Sequence, residues 1–363
     1  MSRSNALLSL RITPHATSGG VIIRWSLDGF SLPERVIGER ELSISHHVAD
    51  ACRQLLKTPG SGELAEDAVL TAGIELFHQW LAPEWQELAR RLPGGIPILL
   101  AISSELEKWS LLPWEALRLP DGGVVGLLPE WRVQRRPAGM QTVNTCRATL
   151  PGPLRILFAS CAPTGFAAPD TGMERTAFAK ATANLHTRVC DTGQTAQLAD
   201  IIHQWQPHVV HLSGISLIRG TQGFFAFEDA EGQPDVLRAD EMGRTLLRHS
   251  GVGLAVLSGR ETGHPPPAAA AGAVCEGLVA SGAVPMALAW PDSLSAVESV
   301  PFLLTFFAEL AASTPVEQAL NLARNRIAPA TTAMGRPGWL LAVMHAKGEH
   351  PYLFTCTSEA RAS

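Results

Sequence analysis

The chain has 363 residues, 46% apolar and 17% charged, and its 34 acidic against 29 basic side chains leave a net charge of −5. Such a composition excludes a disordered chain and supplies a core large enough to form without disulfides or metals. The basic residues form no run longer than Arg90-Arg91 and Arg135-Arg136, which argues against a nucleic-acid surface.

The length suits two or three domains, although one large α/β unit is allowed. Of the 29 basic residues only four are lysine (Lys57, Lys108, Lys180 and Lys347), a bias that reads as genome composition. Six cysteines, Cys52, Cys146, Cys161, Cys190, Cys275 and Cys356, are scattered with no C-x-x-C pair. That spacing suits buried thiols in a reducing compartment. The start Met-Ser-Arg-Ser-Asn-Ala leads into no apolar core of signal-peptide length, and the uncharged stretch Gly277 to Pro291 is too short to span a bilayer. The expected setting is the cytoplasm, without membrane contact.

In chain order, Leu7–Ile12 and Val21–Leu27 read as a pair of strands. Ser45 then caps a helix with Val48, Cys52, Leu55 and Leu56 on one face. Leu70, Ile74, Phe77 and Leu81 predict a second helix, interrupted at Pro83, and a shorter one reaches Leu92 before a strand over Ile96–Ile102. Trp80, Trp85, Trp109, Trp114 and Trp131 fall in this region and read as a buried aromatic cluster. The sequence divides into an N-terminal α/β half (1–136), a turn-rich linker (137–153) and a second half (154–363). In the second half, strands are expected at Leu154–Ala159, Val209–Leu212, Leu254–Leu257, Val284–Ala289 and Trp339–Met344. Helices are expected at 172–184, 195–205, 238–249, 268–281, 295–312 and 315–327, the last opened by a capping box of Thr314, Pro315 and Glu317. This alternation predicts a mostly parallel sheet covered on both faces, an α/β fold.

In such a sheet, chemistry sits beyond the carboxyl ends of the strands. Two segments qualify: His211-Leu212-Ser213-Gly214-Ile215-Ser216 and Leu257-Ser258-Gly259-Arg260-Glu261-Thr262-Gly263. The succession "VVHLSG", "GFFAFED…GQP…LRADEM", "LAVLSGRETG", "VASGAVPMALAWP" and "TPVEQALNLARNRI" resembles the CHAT domain, a caspase-like member of the cysteine peptidases. Upstream, "LLPWEALRLPDGGVVGLLPEWRVQRRP" resembles the Pro-Trp-Glu stretch preceding the peptidase half, so the likeness covers roughly residues 60–345. It implies a caspase-like three-layer α/β/α fold with a fused N-terminal α/β half.

In that family the first loop runs His-x-x-Gly-His-Gly with its second histidine as general base, and the second loop carries the nucleophilic cysteine. Ile215 and Arg260 stand at those places. Isoleucine moves no proton and a guanidinium is not a nucleophile, so the dyad is absent. Ser258, His211, His264 and Cys275 read as structural rather than as a replacement pair. His46-His47 and His208/His211 are spaced wrongly for a metal site, and the sequence holds no phosphate loop, nucleophile elbow or zinc helix. No cofactor and no metal are expected.

The resemblance then implies a pseudo-peptidase that binds a partner at a remnant cleft of His211, Ser213, Gly214, Ser216, Ser258, Gly259, Glu261 and Asp292, in a bacterial defence or regulated-death system. The partner classes are an intact peptidase and a helical-repeat protein, with no nucleic acid and no membrane. Two alternatives stay open. One is a hydrolase with an unrecognised dyad; the other is a sensor in which the planar fork of Arg260 clamps a small anionic ligand, against a salt bridge to Glu261 or Asp292.

Overall fold

A computed structural model describes residues 5–43, 47, 62–110, 112–139, 150–166, 171–261, 269–291, 296–334, 337–348 and 353–355. The helix expected after Ser45 lies outside these residues. The chain divides into two compact units, one of residues 1–139 with 328–340 and one of 140–327 with 341–363.

In the first unit, β1 (Ala6–Pro14) and β2 (Val21–Leu27) form an antiparallel pair, with the short strands β3 (Phe30–Ser31) and β4 (Arg35–Ile37) on the far side of β2. On its other edge β1 pairs in parallel with β5 (Ile98–Ser104), and β5 with β6 (Trp131–Arg136). Alternation in β1 and β2 sends Leu8, Leu10, Ile12, Ile23 and Trp25 into one core. Helix α1 (Gly62–Leu76), a wide turn at Phe77–Leu81 and helix α2 (Ala82–Arg91) follow the expected apolar spacing. Pro83 is accommodated in the first turn of α2, where its missing N–H costs nothing.

The tryptophan cluster is real. Trp25, Trp80, Trp109 and Trp114 are fully buried, Trp80 meeting Trp109 and Trp114 at 5.4 and 5.3 Å between ring centres. The indole N–H of Trp25 donates to the Trp80 carbonyl (2.8 Å) and that of Trp114 to the Trp109 carbonyl (2.9 Å). After the short helix α3 (Glu107–Ser110), the Pro-Trp-Glu stretch forms a single 3₁₀ turn. Glu115 is buried there as the ion-pair partner of Arg135, whose Nη2 donates to Oε2 at 2.7 Å and to the Leu112 carbonyl at 3.0 Å. Burying two charges is tolerable only because both are paired and hydrogen-bonded.

The second unit holds β7 (Leu150–Pro151), β8 (Arg155–Ser160), α4 (Thr171–Ala181), β9 (His186–Cys190), α5 (Thr195–Trp205), β10 (Val209–Arg219), β11 (Gln222–Glu228) and β12 (Pro234–Arg238). It continues through α6 (Ala239–Met242), β13 (Leu254–Glu261), α7 (Ala269–Ala280), β14 (Met286–Pro291), α8 (Ala296–Ala311), α9 (Val316–Ala333), β15 (Val343–Ala346) and β16 (Phe354–Thr355). Strands β9, β8, β10, β13 and β14 run parallel, and β15 pairs with β14 antiparallel. Beside β10, β8 pairs with the first half (Val209–Ser213) and the antiparallel hairpin β11–β12 with the second (Ile215–Arg219).

Helices cover both faces, the arrangement expected of an α/β sheet. On one face α7 packs so closely that a Cβ added to Gly223 would lie 2.3 Å from the Val274 nitrogen. Val210, Leu212, Phe225, Phe227, Leu257, Val274 and Leu278 share the core there. On the other face Phe178 of α4 and Phe307 of α8 meet His211 of β10 and, through Phe178, Phe158 of β8.

Several expectations are corrected. The 238–249 helix is one α turn followed by a wide turn over Gly243–Leu247. The strand expected at Trp339–Met344 is a 3₁₀ turn (Gly338–Leu340) followed by β15, because the apolar run Trp339–Ala342 is buried without strand pairing. The Thr314 hydroxyl donates to Glu309 Oε2 at 2.7 Å. Helix α8 runs through Pro301, and α9 through Pro329 past its expected end at 327.

His208, immediately before β10, is fully buried. Its Nδ1 accepts the Arg155 backbone N–H (2.9 Å) and its Nε2 donates to the Pro151 carbonyl (3.1 Å), with Phe354 against the ring at 5.7 Å. Burial, and secondarily the Arg155 charge, pull its pKa down to about 4, so this imidazole is neutral.

Candidate functional site

The two segments read as strand-end loops are strand up to Ser216 and Glu261, and Thr262 and Gly263 lie outside the described residues. β10 and β13 pair in parallel from Val209↔Leu254 to Ser216↔Glu261, with Ser213 opposite Ser258, Gly214 opposite Gly259 and Ile215 opposite Arg260. The second half of β10 stays extended because β11 supplies its other edge, Ile215 facing Ala226 and Ser216 facing Phe225. An unpaired backbone there would have to find its hydrogen bonds elsewhere. Positions separated by 44 residues thus sit side by side on adjacent strands, about 4.8 Å apart. Ile215 is fully buried. For Gly259, Arg260 and Glu261 the structure gives the backbone pairing, and Asp292 and His264 lie outside the described residues. Gly214 has a packing reason: a Cβ there would lie 2.6 Å from the Phe225 ring.

One layer below the Ile215–Arg260 row is a buried polar network. His211, Ser213 and Ser258 are at most 4% exposed. His211 Nε2 lies 2.8 Å from Ser258 Oγ and 3.2 Å from Glu174 Oε1, and the Ser213 hydroxyl donates to Glu174 Oε2. Glu174, from α4, was not singled out in the sequence, and nothing in its local pattern marks it, since a helix with polar neighbours Arg175 and Thr176 reads as solvated. Burial alone would raise its pKa. The hydrogen bond and charge of His211, with the Ser213 and Ser258 hydroxyls, outweigh that and hold the carboxyl below the usual carboxylate range.

The arrangement resembles a Ser-His-acid triad in composition but not in wiring. In a working triad the carboxylate holds Nδ1–H and leaves Nε2 bare to take the serine proton. Here the carboxylate oxygen sits at Nε2, the same nitrogen that meets Ser258, and no carboxylate meets Nδ1 among the described residues. His211 Nδ1 is buried with no hydrogen-bond partner among the described residues, between the rings of Phe158, Phe178 and Phe307. The network ties β10, β13 and α4 together.

The thiols add none. Cys161, Cys190 and Cys275 are free and buried. Burial pushes all three above the ordinary thiol range, and Glu228 adds to the rise at Cys161, whereas an attacking cysteine needs a depressed pKa. The packing role expected for Cys275 is what α7 shows. Cys52, Cys146 and Cys356 lie outside the described residues. Among the described residues no group of three or more His, Cys, Asp or Glu side chains could hold a metal ion, and no helix is long and apolar enough to cross a membrane.

No protein-family model matches the sequence, and neither does any curated protein. Among solved structures the chain is similar to a Saccharomyces cerevisiae separase–securin complex, with 9% sequence identity and a TM-score of 0.46 over 94% of this chain and 30% of that one. The chain thus spans less than a third of the length of that neighbour.

Proposed function

We propose that this chain is a degenerate CHAT-type, caspase-like pseudo-peptidase, a protein-binding scaffold or regulator in a cytoplasmic defence or regulated-death system, with residues 1–136 as the N-terminal half and 154–363 as the peptidase-like half. The observation that carries the reading is the register pair Ile215↔Arg260, which sets two residues of the wrong chemistry side by side on adjacent parallel strands. The wiring at His211 supports it, since Glu174 and Ser258 meet the same ring nitrogen instead of opposite ones as in a working triad. A chain that keeps a peptidase sheet without its chemistry retains the capacity to hold another protein, and an intact peptidase or a helical-repeat protein is the partner class to seek.

Electrophilic probes test the reading. A fluorophosphonate and a peptidyl ketone are incubated with the folded protein and labelled residues are mapped by mass spectrometry. No activity-dependent labelling is expected. Labelling of Ser258 or of any cysteine that His211→Ala abolishes would overturn it in favour of a hydrolase, the second reading, which the 2.8 Å contact between Ser258 and His211 favours.

A further inference from the structure

Strands β10, β11 and β12 carry the sheet past the His211 network to the hairpin turn after Arg219. Directly paired residues share a face, so one face carries the row Ile215, Ala226 and Val236, and above it the row Leu217, Phe224 and Arg238. The lower row is fully buried at Ile215 and Ala226, whereas Val236, Leu217 and Phe224 are half-exposed. At the tip of the hairpin the exposed Arg219 lays its guanidinium over the Phe224 ring, 5.0 Å from its centre. This surface is apolar along its length and cationic at its end.

The charges around it decide its complement. Arg238 is tied to Asp240, its Nη2 donating to Oδ2 at 2.8 Å, and Arg244 donates to the same carboxylate at 2.9 Å. Glu228, two residues down β11 from Ala226, accepts the Ala162 backbone N–H at 2.8 Å. Arg219 has no carboxylate partner among the described residues, and its guanidinium rests on the Phe224 ring. A guanidinium stacked on an aromatic keeps its N–H donors pointing outward in a planar fork, which matches a carboxylate.

We propose that this face docks an acidic peptide segment of a partner protein, its apolar side chains on Leu217, Phe224 and Val236 and an Asp or Glu carboxylate on Arg219. The proposal rests on the pseudo-peptidase reading and names the chemistry of the partner. An extended segment suits the site because alternate side chains on a strand repeat at the spacing of the rows beneath.

The test uses the full chain and two fluorescein-labelled decapeptides with the same apolar residues, one with Glu and one with Lys at every charged position. Binding is followed by fluorescence anisotropy at 50 and 500 mM salt, and each mixture is checked by mass spectrometry for cleavage. The Glu peptide is expected to bind at least tenfold tighter than the Lys peptide, to weaken with salt, and to lose at least tenfold in affinity in Arg219→Glu, with Arg219→Lys intermediate. Arg219 is exposed, so these variants should melt as wild type does. Equal binding of the two peptides, Glu-peptide binding unchanged in Arg219→Glu, or no binding of either up to 1 mM would overturn the docking face. Cleavage of either peptide would overturn the pseudo-peptidase reading instead.

Discussion

Taking the protein from pH 7.5 to pH 5.0 should weaken the second unit by about 2 kcal/mol through one side chain, His208. In the folded chain its pKa is about 4, against roughly 6.5 for an unperturbed histidine. The unfolded chain takes up a proton near pH 6.5 and the folded one resists until near pH 4. The stabilisation is therefore complete above pH 6.5 and is lost as the pH falls through that window. The whole window is worth about 3 kcal/mol at roughly 1.4 kcal/mol per pH unit, of which about 2 kcal/mol is spent by pH 5. The physical source is burial, which penalises the charged ring, with the Arg155 charge adding to it. Denaturant melts at pH 7.5 and 5.0 measure the effect, and His208→Gln, which keeps one acceptor and one donor, supplies the reference. The variant should start less stable by about 1 kcal/mol at pH 7.5 and lose about 2 kcal/mol less than wild type on acidification. An identical pH dependence in the two proteins would refute the reasoning.

Glu174→Gln should cost about 1–3 kcal/mol in denaturant melts, the scale for leaving buried donors without their acceptor, and the stability that the ionised carboxyl contributes, present above its ordinary pKa, should fade on acidification below it in wild type alone. Gly223→Ala should lose about 1–3 kcal/mol, since its Cβ would press on the α7 backbone, with reduced amide-exchange protection in β11 as the local readout. Trp80→Ala should cost about 3–5 kcal/mol by opening a cavity between Trp109 and Trp114, and calorimetry should show the loss in the melting of the first unit.

The parallel core of the second unit was readable because Val209–Leu212, Leu254–Leu257 and Met286–Ala289 are continuous apolar runs, the pattern of strands buried on both faces. The adjacency of Ile215 and Arg260 followed from the same reading. What escaped was how far those strands go. Ser213, Gly214, Ser258 and Gly259 carry turn-forming residues, and only pairing with β11 and β14 keeps them extended, a tertiary effect that local propensity does not contain. Glu174 escaped for a related reason, because its role depends on α4 meeting β10 across 37 residues of sequence. Trp114 reads as core from the aromatic pattern, whereas Glu115 is marked by resemblance alone, and the structure gives it a physical cause in the Arg135 ion pair.

The pseudo-peptidase proposal holds that no working base–nucleophile pair operates in this sheet. Its most direct test is hydrolysis of arginyl, lysyl and aspartyl reporter peptides by the purified chain, beside Ser258→Ala and His211→Ala. The account predicts no turnover above the boiled control in any of the three proteins. Turnover by the wild type that disappears in Ser258→Ala or His211→Ala would contradict it.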